Sequence, residues 1–185
     1  MDSVATLFLL QGISGGGKST LVGRLAADPT LAPLAVASAD AYPGLYGERQ
    51  PDGSVPFNWQ LLSAAHGACM RAVIDALREG RNVVVDNTNT SNEEVAPYLL
   101  VAAAYGATAR IIRVSCDPET AWKRNTHGVP YAVVKIGDGP TAVRATRTPE
   151  TYTPGEGALV GGVLAMHERL MAYKGLPHWP QPETL

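Results

Sequence analysis

Apolar and polar positions along this chain predict strands and helices that follow one another in turn. The first apolar run, Thr6 to Leu10, has the length of a buried strand, and a helix is predicted over 20–26. Further strands are predicted over residues 34–38, 82–86 and 109–115. Further helices are predicted over 57–79, 91–105 and 158–174. Another helix is predicted to run from Asp117 until Gly128, and a short one follows it and ends at Ile136. This alternation is typical of an α/β protein.

Local signals mark two of the helix starts. Ser91 and Glu94 form a capping-box pattern, and Asp117 followed by Pro118 is a typical N-cap and first-turn pair.

In the longest predicted helix, apolar residues recur at a spacing of three to four and place His66 on the apolar side. His66 is therefore predicted to be a core or orienting histidine rather than a catalytic one.

Strands that alternate with helices predict a parallel sheet of four or five strands, with helices on both faces. The length suits one domain, 1–185, with a C-terminal helix and tail over 156–185. In such sheets ligands bind at the carboxyl ends of the strands. Three predicted strands are followed there by an acidic residue: Asp40, Asp86 and Asp117. We expect these strand ends to converge on one site.

Composition narrows the class of protein further. The hydrophobic share of 45% is globular, and no apolar run approaches the ~18 residues of a membrane span. Cys69 and Cys116 are the two cysteines, so a disulfide framework is not expected. We therefore predict a cytoplasmic protein without a membrane partner; the sequence leaves its oligomeric state open. The net charge of −2 argues against wrapping a long nucleic acid, although not against gripping the end of a strand.

Charge is distributed unevenly along the chain. Residues 110–149 carry seven basic and three acidic side chains, so this segment is +4 and the remainder is −6. In a phosphate-handling protein a basic segment is typical of a lid, which is predicted over about 117–150. The alternative is an ordinary solvated helical face. Residues 137–157 are rich in turn-forming residues and are interpreted as an extension of the lid or a substrate loop.

The most specific motif follows the first predicted strand. Residues 12–19 read Gly-Ile-Ser-Gly-Gly-Gly-Lys-Ser and match the Walker A pattern at every fixed position. Glycines let backbone N–H groups turn toward a β-phosphate, Lys18 reaches the β- and γ-phosphates, and the Ser19 hydroxyl binds Mg²⁺. The motif predicts a nucleotide site for ATP and Mg²⁺; a turn that only connects strand to helix is the alternative. The predicted nucleotide-binding residues are Gly12, Ser14, Gly15, Gly16, Gly17, Lys18, Ser19, Thr20 and Arg124.

Two aspartates and an arginine are candidates for the chemistry. Asp40 would face the γ-phosphate from the acceptor side as a general base, and its alternative role is to form a turn. Asp86 follows three valines, as in a Walker B strand, and could hold a Mg²⁺-bound water or the acceptor; a structural role is its alternative. Arg124 could reach over the triphosphate as an arginine finger, or be a solvated helix charge. With Lys18 these are the predicted catalytic residues, and the predicted metal ligands are Ser19, Asp40 and Asp86.

Four stretches together resemble a known family. They are residues 12–20, Ser-Ala-Asp-Ala-Tyr at 38–42, Val-Asp-Asn-Thr-Asn-Thr at 85–90 and Trp-Lys-Arg-Asn-Thr-His-Gly-Val-Pro at 122–130. This combination resembles the polynucleotide kinase family of P-loop phosphotransferases, the 5′-hydroxyl kinases of nucleic-acid repair, and AAA-type ATP-binding kinase-like proteins. The resemblance covers roughly residues 5–136.

The resemblance implies a P-loop NTPase fold, a three-layer sandwich that is adenylate-kinase-like and has a helical lid. It implies Lys18 and Ser19 on phosphate and Mg²⁺, and Asp40 as the base toward a 5′-hydroxyl. It also implies Asp86 beside the acceptor or the metal, and Arg124 as the lid arginine that touches the transferred phosphate. The implied reaction is the transfer of the γ-phosphate of ATP to the 5′-hydroxyl end of RNA or DNA.

One position departs from the family pattern. In the family's phage enzyme an arginine stands three residues after the base and helps to hold the acceptor's phosphate, whereas this chain has Pro43. Arg49 is a candidate substitute from the following loop. Two alternatives therefore stay open: a kinase of a small hydroxyl compound such as a sugar, nucleoside or antibiotic, and an ATP-binding switch without an acceptor. The intact Asp40 argues against the switch.

Overall fold

The computed structural model describes residues 4–185, and its first four strands alternate with helices. In chain order the elements are β1 (Thr6–Gln11), α1 (Lys18–Ala26), β2 (Leu34–Ala37), α2 (Leu62–Arg78), β3 (Asn82–Val85), α3 (Asn92–Ala104), β4 (Thr108–Arg113), α4 (Pro118–Arg124), β5 (Ala132–Ile136), β6 (Val143–Arg147), β7 (Ala158–Gly161), α5 (Gly162–Ala172) and β8 (Glu183–Thr184). Single turns of 3₁₀-helix lie at Pro29–Leu31, Trp59–Leu61 and Gly139–Thr141. Within this part of the chain, no helix has both the length and the apolar character that crossing a membrane requires.

Five strands form a parallel sheet in the order β2-β3-β1-β4-β8. Successive side chains of β1 point to opposite faces, so Leu7 and Leu9 pack with α2 and α3, whereas Phe8 and Leu10 pack with α1. All four of these side chains are buried. The predicted α/β sandwich of three layers is therefore confirmed, with an apolar core on each face of the sheet.

The carboxyl ends of β1, β2 and β3 meet at one edge of the sheet because the strands are parallel. Two buried asparagines bind the loops at this edge to one another. Asn87 accepts a hydrogen bond from the Ala39 backbone N–H at 2.9 Å, and Asn89 donates to the Leu10 carbonyl at 2.7 Å. Asp40 and Asp86 lie in these same loops and are thus held near the end of β1.

The C-terminal tail supplies the fifth strand. Glu183 in β8 pairs with Ile112 of β4 in the sheet, and its carboxylate lies 2.6 Å from the Arg110 guanidinium. The backbone N–H of Leu185 donates to the Arg113 carbonyl at 2.9 Å. This strand has two residues and therefore no periodicity of its own, so the sequence pattern predicted only a tail here.

A small antiparallel sheet replaces some of the predicted helix and loop. In this sheet β5 lies between β6 and β7. The short helix predicted to end at Ile136 is wrong: the valines and isoleucine of β5 suit a strand, and partners on both sides complete it. β6 lies within the turn-rich residues 137–157, and the helix predicted over 158–174 starts only at Gly162 because β7 precedes it. The predicted lid segment therefore begins with α4 and continues as strands.

Candidate active site

The loop between β1 and α1 wraps around the N-terminus of the helix. Gly15 and Gly17 have φ angles of 76° and 99°, which glycine adopts without steric cost. Helix α1 begins directly at Lys18, so the N–H groups of its first turn lack partners inside the helix. An exposed set of N–H groups at a helix N-terminus is suited to binding a phosphate. The Walker A residues therefore form the kind of loop that their pattern predicts.

Lys18 lies inside this loop. Its side chain is buried, and its Nζ donates to the carbonyl oxygens of Gly12 and Ile13, each at 3.0 Å. Burial lowers the pKa of the Lys18 ammonium, while the negative charges of Asp86 and Asp40 act in the opposite direction. The lysine is held by neutral carbonyls close to two carboxylates, and a phosphate oxygen is a stronger partner than either carbonyl.

Ser19 and Asp86 form a pair of oxygen ligands suited to Mg²⁺. The Ser19 hydroxyl donates to Oδ2 of Asp86 at 2.9 Å, and the Ser38 hydroxyl donates to the Asp86 carbonyl at 2.9 Å. Within residues 4–185, no group of three or more histidine, cysteine, aspartate or glutamate side chains could hold a metal by itself. This donor set fits Mg²⁺, which is commonly bound through one or two protein oxygens together with phosphates and water.

Each carboxylate oxygen of Asp40 has an aromatic side chain near it. The Tyr46 hydroxyl donates to Oδ1 at 3.2 Å, and Nε2 of His127 lies 3.7 Å from Oδ2. The rings of Tyr46 and His127 stack, with centroids 4.4 Å apart and planes inclined by 27°. Burial raises the pKa of Tyr46 and the Asp40 charge raises it further, so the phenol stays protonated and remains a donor. The Tyr46 hydroxyl thus orients the Asp40 carboxylate, and the stacked His127 ring lies beside it.

One cavity of about 520 Å³ joins these groups. All four predicted catalytic residues line it: Lys18, Asp40, Asp86 and Arg124. All the predicted nucleotide-binding residues except Gly12 line the cavity. Gly12 instead packs closely against the backbone after β4, since a Cβ at this position would lie 3.1 Å from the Val114 carbonyl oxygen. The structure brings the predicted set together, while the role of each residue stays a prediction.

Arg124 enters the cavity from the last residue of α4, opposite the Walker A loop. The turn after this helix is fixed by Asn125, whose amide donates to the carbonyls of Trp122 at 2.9 Å and Val129 at 3.1 Å. Its Oδ1 accepts from the Val129 backbone N–H at 2.9 Å. This fixed turn places His127 beside Asp40. The end of α4 and the turn after it therefore contribute Arg124, Thr126 and His127 to the cavity lining.

Sequence reasoning missed several residues of the site. Thr88, Thr126 and His127 line the cavity, and Tyr46 contacts Asp40, but none was a candidate. His127 and Thr126 stand within the stretch 122–130 that carried the family resemblance, so that motif held the signal. Tyr46 carried no comparable signal, because its place depends on how the loop after Asp40 folds back.

The structure corrects the expectation for His66 and shows where the candidate Arg49 lies. His66 is exposed rather than on the buried side of α2, because the helix buries the stripe that contains Ala65, Cys69 and Val73, and His66 lies one position after Ala65. Arg49 does not line the cavity. Its guanidinium instead donates to the backbone carbonyl oxygens of Gly53 and Thr126, so it holds the loop against the turn after α4.

Comparison with known proteins identifies the family. A family model described as an AAA domain matches residues 7–127, which is more than half of the chain. The chain belongs to this AAA domain family. The matched range starts in β1, contains the Walker A loop, Asp40, Asp86 and Arg124, and ends at His127.

Solved structures share the fold at low sequence identity. A chain of the Pnkp1/Rnl/Hen1 complex is 20% identical, covers 67% of this chain and 40% of its own length, and has a TM-score of 0.53. A chain of the Pnkp1/Rnl/Hen1 RNA repair complex is 21% identical and has a TM-score of 0.52. The match covers 67% of this chain and 37% of that chain. This chain therefore spans less than half of the length of either. A gluconokinase from Sinorhizobium meliloti 1021 is 13% identical and has a TM-score of 0.49. The match covers 98% of this chain and 82% of the gluconokinase chain. The fold of this chain is thus similar to that of the two chains from the Pnkp1/Rnl/Hen1 complexes.

Substitution of Gly15 by alanine is expected to damage the site. A Cβ there would lie 2.0 Å from the Ala121 carbonyl oxygen and 2.9 Å from the Asn125 backbone nitrogen, so α4 would have to move away. The positive φ alone costs about 1–3 kcal/mol for a non-glycine residue. We expect Gly15→Ala to lower the free energy of unfolding by at least this amount and to weaken ATP binding, measured by urea unfolding and by equilibrium titration.

The matched control is Gly23→Ala, because Gly23 is exposed within α1 and a Cβ there meets nothing within 4 Å. Alanine is a better helix former, so this variant should gain about 0.5–1 kcal/mol of stability and bind ATP normally. Equal behaviour of the two variants would contradict the close approach of the loop to α4.

Proposed function

We propose that this protein is an ATP- and Mg²⁺-dependent kinase that transfers the γ-phosphate to the 5′-hydroxyl end of a polynucleotide, with residues 1–185 as a single kinase domain. One observation carries the proposal: Lys18 and Arg124 share a cavity with Asp40, which lies at the end of a different strand. A phosphoryl transferase needs cations on the phosphates and a proton acceptor for the incoming hydroxyl. The cavity offers both.

On the donor side, the chain positions the triphosphate. The loop N–H groups and the N-terminus of α1 hold the β-phosphate, and the Lys18 ammonium turns from its carbonyl partners to the β- and γ-phosphate oxygens. Ser19 and Asp86 would hold Mg²⁺, which when bound would neutralise phosphate charge as it develops. Arg124 reaches the transferred phosphate from α4 and stabilises the charge on its equatorial oxygens.

On the acceptor side, Asp40 takes the proton of the attacking hydroxyl. As the acceptor oxygen bonds to the γ-phosphorus, the bond from this phosphorus to the β–γ bridging oxygen breaks and ADP leaves. The proton passes to Asp40, whose other contacts, the Tyr46 hydroxyl and the His127 ring, hold the carboxylate in place. Product release then returns the proton to solvent.

A polynucleotide acceptor is supported by the sequence resemblance at 38–42, 85–90 and 122–130. One structure of similar fold is described as part of an RNA repair complex. A small hydroxyl compound is the second candidate, because Pro43 stands where the family's phage enzyme has an arginine and Arg49 is bound to backbone carbonyls elsewhere. The chain's net charge of −2 favours the same alternative.

The test is incubation with ATP labelled at the γ-phosphate, Mg²⁺ and an oligonucleotide that has a 5′-hydroxyl, in RNA and DNA versions. The control is the same strand with a 5′-phosphate already present. We expect label on the 5′-hydroxyl strand and none on the control. Label found only on sugars, nucleosides or other small hydroxyl compounds in parallel reactions would contradict the polynucleotide acceptor. No label on any acceptor would contradict kinase activity.

A further inference from the structure

Four aromatic side chains form a continuous row that starts at the proposed base and leads out of the cavity. This aromatic row consists of His127, Tyr46, Phe57 and Trp59. Tyr46 stacks on His127, its ring centroid lies 5.0 Å from that of Phe57, and Phe57 lies 4.6 Å from Trp59. His127 and Tyr46 lie next to Asp40, and of the four members only His127 lines the cavity. The row therefore extends from the cavity lining to residues outside it.

The backbone around the row is fixed by hydrogen bonds. The Gly47 N–H donates to the Pro56 carbonyl at 2.8 Å, and the Asn58 N–H donates to the Leu45 carbonyl at 2.9 Å. The Asn58 side chain accepts from the Gln60 N–H at 3.1 Å and so caps the turn that carries Trp59. These bonds join the two ends of the loop and hold Trp59 at a fixed position relative to Tyr46.

Trp59 ends the row in solvent. Trp59 is 75% exposed, and its ring meets Phe57 at an interplanar angle of 68°, a T-shaped contact in which Phe57 covers at most one face of the indole. An indole with so much exposed surface adds little to the stability of the apolar core, because only a small part of its surface is buried. A fixed and open aromatic face is the kind of surface on which nucleic-acid bases stack.

We propose that Trp59 stacks against an unpaired base of the acceptor strand, next to the terminal nucleotide whose 5′-hydroxyl lies at Asp40. This inference rests on the proposed polynucleotide kinase function. Stacking tolerates any sequence, since every base has an aromatic face. It also needs no cation, which suits an acceptor side where Pro43 replaces the family's arginine and Arg49 is bound to backbone carbonyls. The strand is thus held by a base rather than by a phosphate.

The test compares the wild type with Trp59→Ala and Trp59→Phe, using the full chain and 5′-hydroxyl oligonucleotides. Base–aromatic stacking corresponds to roughly a 10-fold change in affinity, so W59A should raise KM for the oligonucleotide about that much, with KM for ATP unchanged. W59F should retain most of the affinity. The matched control is Tyr105→Ala, which removes an exposed aromatic at the far end of α3 and should change neither KM.

Abasic residues locate the base that is held. In the wild type, an abasic nucleotide at one of the positions after the first should raise KM by roughly the same factor, and W59A should lose that sensitivity. Quenching of tryptophan fluorescence by the oligonucleotide, greater in the wild type than in W59F, gives a readout that is independent of catalysis.

Two results would overturn the inference while the proposed function stands: unchanged oligonucleotide KM in W59A, or equal sensitivity to abasic sites in W59A and the wild type. In the first case, a change in sedimentation of W59A would assign Trp59 to contact between copies of the chain. Absence of label on any oligonucleotide with the wild type contradicts the proposed function itself, independently of Trp59.

Discussion

Replacement of Asp40 by asparagine is expected to lower the rate of phosphate transfer by roughly 10²-fold or more, with little change in ATP affinity. The amide keeps the shape of the carboxylate and can still accept the Tyr46 hydrogen bond at Oδ1. It cannot accept the proton of an attacking hydroxyl. The loss should therefore appear in kcat, measured by label transfer at saturating ATP and acceptor.

The control for this variant is Asp75→Asn. Asp75 is an exposed residue of α2 whose carboxylate lies 3.0 Å from the Arg78 guanidinium, and a surface pair of this kind contributes little to stability. Transfer by the control should match the wild type. If D40N turned over as fast as the wild type, Asp40 would have no role as a base, and its contacts with Tyr46 and His127 would be structural.

Replacement of Lys18 by alanine is expected to weaken both ATP binding and transfer, with a loss in kcat/KM of roughly 10²- to 10³-fold. The ammonium lies inside the loop on the carbonyls of Gly12 and Ile13, and its removal leaves the β-phosphate without a side-chain cation and the γ-phosphate with Arg124 alone. Lys18→Met adds a useful comparison, because it keeps most of the side-chain volume while it removes the charge.

Isothermal titration with ATP and steady-state label transfer measure the two effects separately. Lys174→Ala serves as the control, since Lys174 is exposed and lies after α5, away from the cavity lining. Both Lys18 variants should fold normally, as shown by unchanged far-ultraviolet circular dichroism. ATP affinity equal to that of the wild type in K18A and K18M would contradict the placement of the triphosphate in this loop.

The part of the fold that the sequence predicts well is the part set by short-range patterns. The strand before the Walker A loop, the capping box at Ser91 and the N-cap at Asp117 are all confirmed, because each depends on neighbouring residues. The gathering of Asp40 and Asp86 beside Lys18 could also be predicted. Parallel strands place their carboxyl ends at one edge, and each aspartate follows such an end.

What the sequence did not predict depends on contacts between distant segments. β5 is a strand because it pairs with residues 143–147 and 158–161, and β8 exists only through its pairing with β4. Tyr46 reaches Asp40 because the loop between them folds back through the pairing of Tyr46 with Phe57. Neither the strands nor the position of Tyr46 follows from a local period. The His66 error has a different cause: His66 lies one position away from the buried stripe of α2, so the helical period was placed on the wrong residues.

The central claim is that the cavity passes phosphate from ATP to an alcohol rather than to water. ADP formation should be measured with and without a 5′-hydroxyl oligonucleotide, together with the amount of label on the strand. We predict that ADP formation rises when the oligonucleotide is added, with one labelled 5′ end for each ADP. ADP formed at the same rate in both reactions, with the strand unlabelled, would contradict the kinase and leave a nucleotide-dependent switch.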